Sequence, residues 1–312
     1  MRLLFVADPL PTLKAAKDSS VAMMRAAAVR GHEVWATTVD RLSWETAAGV
    51  TAEAAPVVFA DDECRAAAAQ TLRLADCDAV LMRKDPPFDI EYVAATWLLE
   101  QAEREGARVF NRPDALRDHS EKLVLAEFAQ FAPPSLATRD AARLAAFIER
   151  EGDVILKPLD GMGGRGIFRV RRDDPNRNAI IETLSADGAR SVMAQRFIPQ
   201  IADGDKRILL IGGAVVPYCL ARVPKPGETR GNLAAGGIGE VRPLTARDRE
   251  IAEALAPVMA ERGLLFVGID VIGDWLTEIN VTSPTCMVEI AKGSDVDPAV
   301  LFVEALERAC AS

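Results

Sequence analysis

Histidine is almost missing: the 312 residues hold only His32 and His119. Two histidines cannot build a multi-histidine metal site, and both are read as structural or surface groups rather than catalytic ones. Cysteine is sparse too. Cys64, Cys77, Cys219, Cys286 and Cys310 are odd in number and show no CxxC spacing, which excludes a disulfide framework and a zinc site. No apolar run is long enough to cross a bilayer, and the opening MRLLFVADPLP has neither a signal-peptide core nor a cleavage pattern. A cytoplasmic protein with no membrane partner is therefore expected. Basic excess is also lacking. The net charge of −9 argues against sequence-independent nucleic-acid binding, which needs a basic face to displace counterions. No low-complexity tract or internal repeat is present.

What is there is an ordinary globular composition, 49% hydrophobic, in a chain long enough for two or three subdomains. The first third alternates strand and helix signals. RLLFVAD, EVWATTV, DAVLMR and ARVFN read as strands. Helices are predicted over 19 to 30 and 90 to 105, stopped by Gly31 and Gly106. That alternation predicts a parallel sheet with helices on both faces. The region should end near residue 120. Segments 120 to 130 and 141 to 151 then look helical. DVILKP, IFRVRR, SVMAQRFI, KRILLIGG, AVVPYCLARV, LLFVGIDVIG and WLTEINV follow as strands, interrupted by a helix over 246 to 262. Strand pairs joined by glycine-rich turns read as antiparallel sheet. The fold class is α/β in front and α+β behind.

Gly161, Gly163 and Gly166 in ILKPLDGMGGRGIFRV have GxGxxG spacing. A strand-like segment follows rather than a helix, and no GK[ST] is present, so neither a dinucleotide fingerprint nor a P-loop is read here. A kinase is excluded because HRD and DFG are missing. What remains is a hairpin with a glycine tip, preceded by Lys157. Glycines let backbone N–H groups approach phosphates, and a lysine supplies a point charge. Taken alone, the same residues also describe a loose hairpin with a solvated lysine.

A second signal lies in GIDVIGDWLTEINVTSPT. Glu278 and Asn280 are two apart and share one strand face. Asp270 joins that face if the turn has an odd number of residues, such as 273 to 275, which sets Asp270 opposite Glu278. Three oxygen-bearing side chains on one face suit Mg²⁺, with Mn²⁺ an alternative. The neighbours Ile269, Val271, Ile279 and Val281 are apolar and bury the other face.

These residues resemble the bacterial glutathione synthetases of the ATP-grasp superfamily. The resemblance runs through nearly the whole chain and is carried by DPLPTLKAAKDSSVAMM, VLMRKDPPFD, SEKL, ILKPLDGMGG, GDKRILL, YCLARVP, GETRGNLAAGG and FVGIDVIGDWLTEINVTSPT. It implies an ATP-grasp fold behind an N-terminal Rossmann-like domain, with ATP between two antiparallel sheets. The expected division is 1–120 for substrate binding, 121–200 as an ATP-grasp lid subdomain and 201–312 as the catalytic subdomain. The polar loop 224–240 is expected to be a mobile lid. The family often has a basic residue near its end, where this chain has Ile238.

By the same resemblance, Lys122 and Lys157, with Gly161, Gly163 and Gly164, hold the ATP phosphates. Gln195, Arg196, Phe197 and Ile198 line the adenine. Asp270, Glu278 and Asn280 ligate Mg²⁺. Arg207 and Arg222 face the reacting groups. Lys17, Asp18, Ser19, Ser20, Arg83 and Ser283 belong to the γ-glutamylcysteine pocket. Ser19 or Ser20 is alternatively a plain helix cap. The implied reaction joins γ-glutamylcysteine to glycine at the expense of ATP, through an acylphosphate, in a homo-oligomer. The alternatives are another ATP-grasp ligase, of the D-alanine–D-alanine or glutamate-adding kind, and a non-catalytic ATP-binding module.

Overall fold

The structure is a computed structural model that describes residues 1–60, 63–228, 230–233 and 236–311. Positions 229, 234 and 235 of the loop 224–240 therefore lie outside the described residues.

The first sheet is centred on β1 (Arg2–Val6), which pairs in parallel with β2 (Glu33–Thr37) and with β7 (Ala79–Met82). β8 (Val109–Phe110) extends it in parallel beyond β7. Successive residues of β1 serve two cores, as strand alternation requires. Leu3 and Phe5 pack with Met23 and Met24 of α1 (Ser19–Val29), whereas Leu4 and Val6 pack with Leu99 of α2 (Ile90–Arg104). Helices thus cover both faces. An antiparallel arm follows β2: β3 (Leu42–Glu45), β4 (Gly49–Ala60), β5 (Glu63–Ala66) and β6 (Gln70–Arg73). It was not legible in advance, because alanine dilutes the polar–apolar alternation of β4. A short helix, α3 (Pro113–Asp118), ends this part.

The second sheet has the order β11-β10-β12-β9, all antiparallel: β9 (Ser135–Thr138), β10 (Asp153–Pro158), β11 (Phe168–Arg171) and β12 (Val192–Arg196). α4 (Ala141–Glu151) and α5 (Arg177–Ser185) cover it, with a core of its own around Leu144, Phe147, Val154 and Val170. Asp140 caps α4, and Gly152 at φ 81° ends it in a backbone region that glycine enters at little cost.

The third sheet has the order β15-β14-β13-β16-β17: β13 (Asp205–Ile211), β14 (Ala214–Val223), β15 (Ile238–Pro243), β16 (Phe266–Ile272) and β17 (Trp275–Asn280). α6 (Ala246–Glu261), started by a capping box between Thr245 and Asp248, packs beneath it. α7 (Met287–Gly293) and α8 (Pro298–Ala311) return the chain to the first sheet. Phe302 and Leu306 of α8 share a core with Leu3 and Phe5, so the first and third sheets are packed together.

Two expectations need correction. The stretch 120 to 130 is not an α-helix but a 3₁₀ segment over Leu123–Phe128. The carbonyls of Glu121 and Phe131 accept from Ile279 and Leu276 of β17, which removes them from any helical ladder. The loop expected over 224–240 is also shorter, since 238 to 240 already pair with β14.

Candidate active site

The candidate site is the cleft between the second and third sheets, about 860 Å³ counting its open mouth. β16 and β17 supply one wall. Asp270 stands opposite Glu278, and Gly268 opposite Asn280, so the three oxygen-bearing side chains do share a face. The route differs from the three-residue turn expected. Ile272 pairs with Trp275 and Val271 with Leu276 across a two-residue turn. The register then shifts, leaving Thr277 as an extra residue. That bulge restores the alignment of Asp270 with Glu278.

β13 adds the cations. Arg207 lies opposite Asp270, and its Nε and Nη2 donate to Oδ1 and Oδ2 at 2.5 and 3.0 Å. Arg222 on β14 donates to Asp205, and its Nη2 lies 3.0 Å from Asp270 Oδ2. All four side chains are buried. Burial pushes the Asp270 carboxyl upward, but Arg207 and Arg222 more than offset it and hold it below the usual range. Asp205 goes the other way: burial, with Asp270 nearby, pushes it up to about 6 despite Arg222. Asp205 Oδ1 is buried without a hydrogen-bond partner.

The second sheet supplies the opposite wall. Lys157 on β10 reaches across the cleft and donates to Glu278 Oε1 and to the carbonyl of Thr277, both at 3.3 Å. Lys122 Nζ lies 3.7 Å from the same Oε1 and donates to the Gly161 carbonyl at 2.7 Å. Burial and then Lys122 lower the Lys157 pKa, with Glu278 opposing them. Burial raises that of Glu278, but the two lysines pull it below its ordinary value. Gly163, Gly164 and Gly166 have φ of 60°, 80° and 70°, so the loop over the cleft requires glycine. Gln195, Arg196, Phe197 and Ile198 line the cleft further along β12. The guanidinium of Arg169 lies 3.6 Å from the Phe197 ring centre.

The residues expected around the second substrate are brought together only in part. Asp18, not Ser19 or Ser20, caps α1, accepting from the amides of Ser20 and Val21 at 2.8 and 3.0 Å. The helix starts at Ser19, which makes residue 18 the cap position. Ser20 Oγ accepts from Arg83 Nε at 3.1 Å, and Arg83 Nη2 donates to the Pro284 carbonyl at 2.9 Å. Arg83 thus ties the start of α1 to the loop after β17. Ser19 Oγ accepts from the Met287 amide at 3.3 Å. Ser283 is half-buried in that loop, and Lys17 is exposed in the turn before α1.

Two family models cover this chain: the prokaryotic glutathione synthetase N-terminal domain matches residues 1–117, and its ATP-grasp domain matches residues 121–295. The chain belongs to the prokaryotic glutathione synthetase family. It is accordingly an ATP-dependent ligase. It is 58% identical to the glutathione synthetase of Ralstonia nicotianae, over 99% of this chain and 96% of that one. It is 55% identical to the glutathione synthetase of Bordetella parapertussis, over 99% of both. Among solved structures it is similar to D-cycloserine synthetase DcsG, with a TM-score of 0.69 at 14% identity over 99% of both chains. That likeness shows the shared ATP-grasp fold.

Several residues that the ligase places in the cleft escaped the sequence reading. Asp205 is two residues before Arg207 on the same strand face, and that period-2 spacing was a usable signal. Arg230 and Asn232, in the loop between β14 and β15, also line the cleft. Arg230 Nη1 donates to the Gly164 carbonyl at 3.3 Å, so the segment after β14 meets the glycine loop. No periodicity could have announced that contact.

Proposed function

We propose that this ligase joins the cysteinyl carboxylate of γ-glutamylcysteine to the amine of glycine. The carboxylate oxygen attacks the γ-phosphorus of ATP and ADP leaves. The glycine nitrogen then attacks the acyl carbon of the acylphosphate. Phosphate departs and the amine loses a proton. The observation that carries this reading is the convergence of Lys122 and Lys157, from separate segments, on one oxygen of Glu278 in a cleft between two antiparallel sheets.

Chemistry of this kind needs no enzyme nucleophile. It needs positioning and neutralisation of charge on the phosphoryl group. Lys122 and Lys157 are assigned to the phosphates with the glycine loop at 161, 163 and 164, and residues 195 to 198 to the adenine. Arg207 and Arg222, fixed by Asp270 and Asp205, are assigned to the reacting carboxylate and phosphoryl groups. Arg83, Ser19, Ser20 and Asp18, with Lys17 and Ser283, are assigned to γ-glutamylcysteine.

A divalent cation fits the donor set. Asp270 and Glu278 are held in the ionised form. Asn280 donates its NH₂ to the Gly268 carbonyl and to Asp270, at 3.1 and 3.2 Å, which leaves its amide oxygen as a third hard donor. Among the described residues no three His, Cys, Asp or Glu side chains form a metal cage by themselves. That suits a cation that takes further oxygens from phosphate and water, as Mg²⁺ does, with Mn²⁺ an alternative. When bound it supplies charge neutralisation on the transferring phosphoryl group.

The division into 1–120, 121–200 and 201–312, the closing motion of the lid loop, a homo-oligomeric state and a cytoplasmic location belong to the same proposal. Among the described residues no helix is long and apolar enough to cross a membrane. The test is a coupled ADP-release assay with γ-glutamylcysteine and glycine, each omitted in turn. Release should require both, and D-alanine should not replace them. Glu278→Gln should lose about 10²- to 10³-fold in turnover, the loss typical of one transition-state electrostatic partner. Full Mg²⁺-dependent turnover in that variant sinks the metal assignment.

A further inference from the structure

Thr277 has a place in the hairpin that strand register does not explain. A chain lacking this residue would keep the two-residue turn, pair Val271 with Leu276, and bring Glu278 opposite Asp270 directly. Alignment of the carboxylates alone therefore does not account for the presence of this residue. What the extra residue adds is a backbone carbonyl on a residue with no partner opposite it in the register. That carbonyl accepts from Lys157 Nζ at 3.3 Å. The Thr277 hydroxyl in turn donates to the Asp270 carbonyl at 3.1 Å, which ties the bulged residue back to the opposing strand. Thr277 and Lys157 are both buried.

A lysine ammonium has three N–H donors. Thr277 O and Glu278 Oε1 take two of them in fixed directions. A neutral carbonyl does this without adding negative charge to the phosphate end of the cleft. We infer that Thr277 is a positioning residue: its bulge aims the Lys157 ammonium across the cleft, and its hydroxyl locks the bulge. This rests on the reading of Lys157 as a phosphate-binding group.

The test is calorimetric titration with ADP, with and without Mg²⁺, on the full-length wild type and on Thr277→Val, Thr277→Ser and Lys157→Met. Lysine acts on phosphate whether or not a metal is present, whereas the carboxylates act through the metal. Thr277→Val should weaken ADP binding about threefold to tenfold, the effect of one buried hydrogen bond, to the same extent in both conditions. The ratio of affinities with and without Mg²⁺ should not move. Thr277→Ser, which restores the hydroxyl, should bind within about twofold of wild type by the same argument. Wild-type affinity in Thr277→Val overturns the inference. So does a loss confined to the Mg²⁺ titration, which would assign the bulge to the carboxylates. A Thr277→Ser variant as weak as Thr277→Val also overturns it, reducing the residue to a packing role. If wild type binds no ADP, or Lys157→Met binds as tightly as wild type, the nucleotide site itself fails and takes this inference with it.

Discussion

Glu121 should govern both the stability of the β16–β17 hairpin and the affinity for ATP, although it need touch no substrate. β17 is the last strand of its sheet, and its outer edge is covered by a segment that is not a strand. The Glu121 carbonyl accepts from the Ile279 amide at 2.9 Å. Its side-chain Oε1 accepts from the amides of Val281 and Thr282 at 2.9 and 3.1 Å, and from the Thr282 hydroxyl at 3.0 Å. Lys122 is the next residue. Glu121→Ala strands two backbone donors and a hydroxyl. A stranded buried donor costs about 1–3 kcal/mol. The site is partly buried, so water replaces some of the loss, and a total near the low end, about 2–4 kcal/mol, is expected. Hydrogen exchange across residues 276 to 283 should then accelerate by at least about 30-fold. The KM for ATP should rise about tenfold, because Lys122 loses its anchor. Glu121→Gln keeps an oxygen but loses the charge, and should forfeit roughly half as much. Exchange and KM both unchanged in Glu121→Ala would refute the idea that this carboxylate holds the hairpin to the Lys122 segment.

Gly268→Ala should damage catalysis more than ATP binding. A Cβ there would lie 2.9 Å from both Arg207 Cδ and Pro284 Cβ. Such overpacking costs about 1–3 kcal/mol and would push Arg207 off Asp270, so kcat should fall while KM for ATP holds; unchanged stability and kcat would show that the contact yields freely. His119 should set part of the acid lability. Burial lowers its pKa to about 4, while its Nε2–H donates to the Ile279 carbonyl at 3.2 Å. A base depressed on folding contributes stability that is present above about pH 6.5 and lost as pH falls through about 4, here on the order of 3 kcal/mol. Denaturant unfolding of wild type and His119→Gln at pH 7 and 4.5 should show the smaller loss in the variant. Equal losses would remove His119 from the account.

Much of the fold was legible because apolar runs and glycine stops mark it. β1, β2, β7 and α2 sit where periodicity predicts them, within a residue or two. The α7 and α8 helices were missed, although Ser283-Pro284 breaks the chain after β17 and Pro298 stands at the first position of α8. At the site, same-strand spacing was readable, as with Glu278 and Asn280. Contacts between distant segments were not. Nothing local in the sequence announces that Arg83 reaches the Pro284 carbonyl, or that the 119–122 segment occupies the edge of β17. The bulge at Thr277 illustrates why. A three-residue turn and a two-residue turn with a bulge give the same alignment of Asp270 with Glu278, so register alone cannot tell them apart.

Charge explains why the cleft is built from so many segments. The chain carries a net charge of −9, yet Lys122, Lys157, Arg207 and Arg222 are all buried around one cleft. Buried cations without partners are costly, and each of these is held by Glu278, Asp270 or Asp205. The acids therefore have two uses. They keep the cations desolvated and oriented before substrate arrives, which is the arrangement that stabilises charge most effectively in a transition state. On the proposed reading they also present hard oxygens to a divalent cation. A metal–triphosphate complex carries both halves of the complementary pattern, an anion for the lysines and arginines and a cation for the acids. It can exchange partners with the site without leaving any buried charge uncompensated. A free triphosphate does so only at a cost, because it would take the lysines from Glu278 and leave that half-buried carboxylate unpaired.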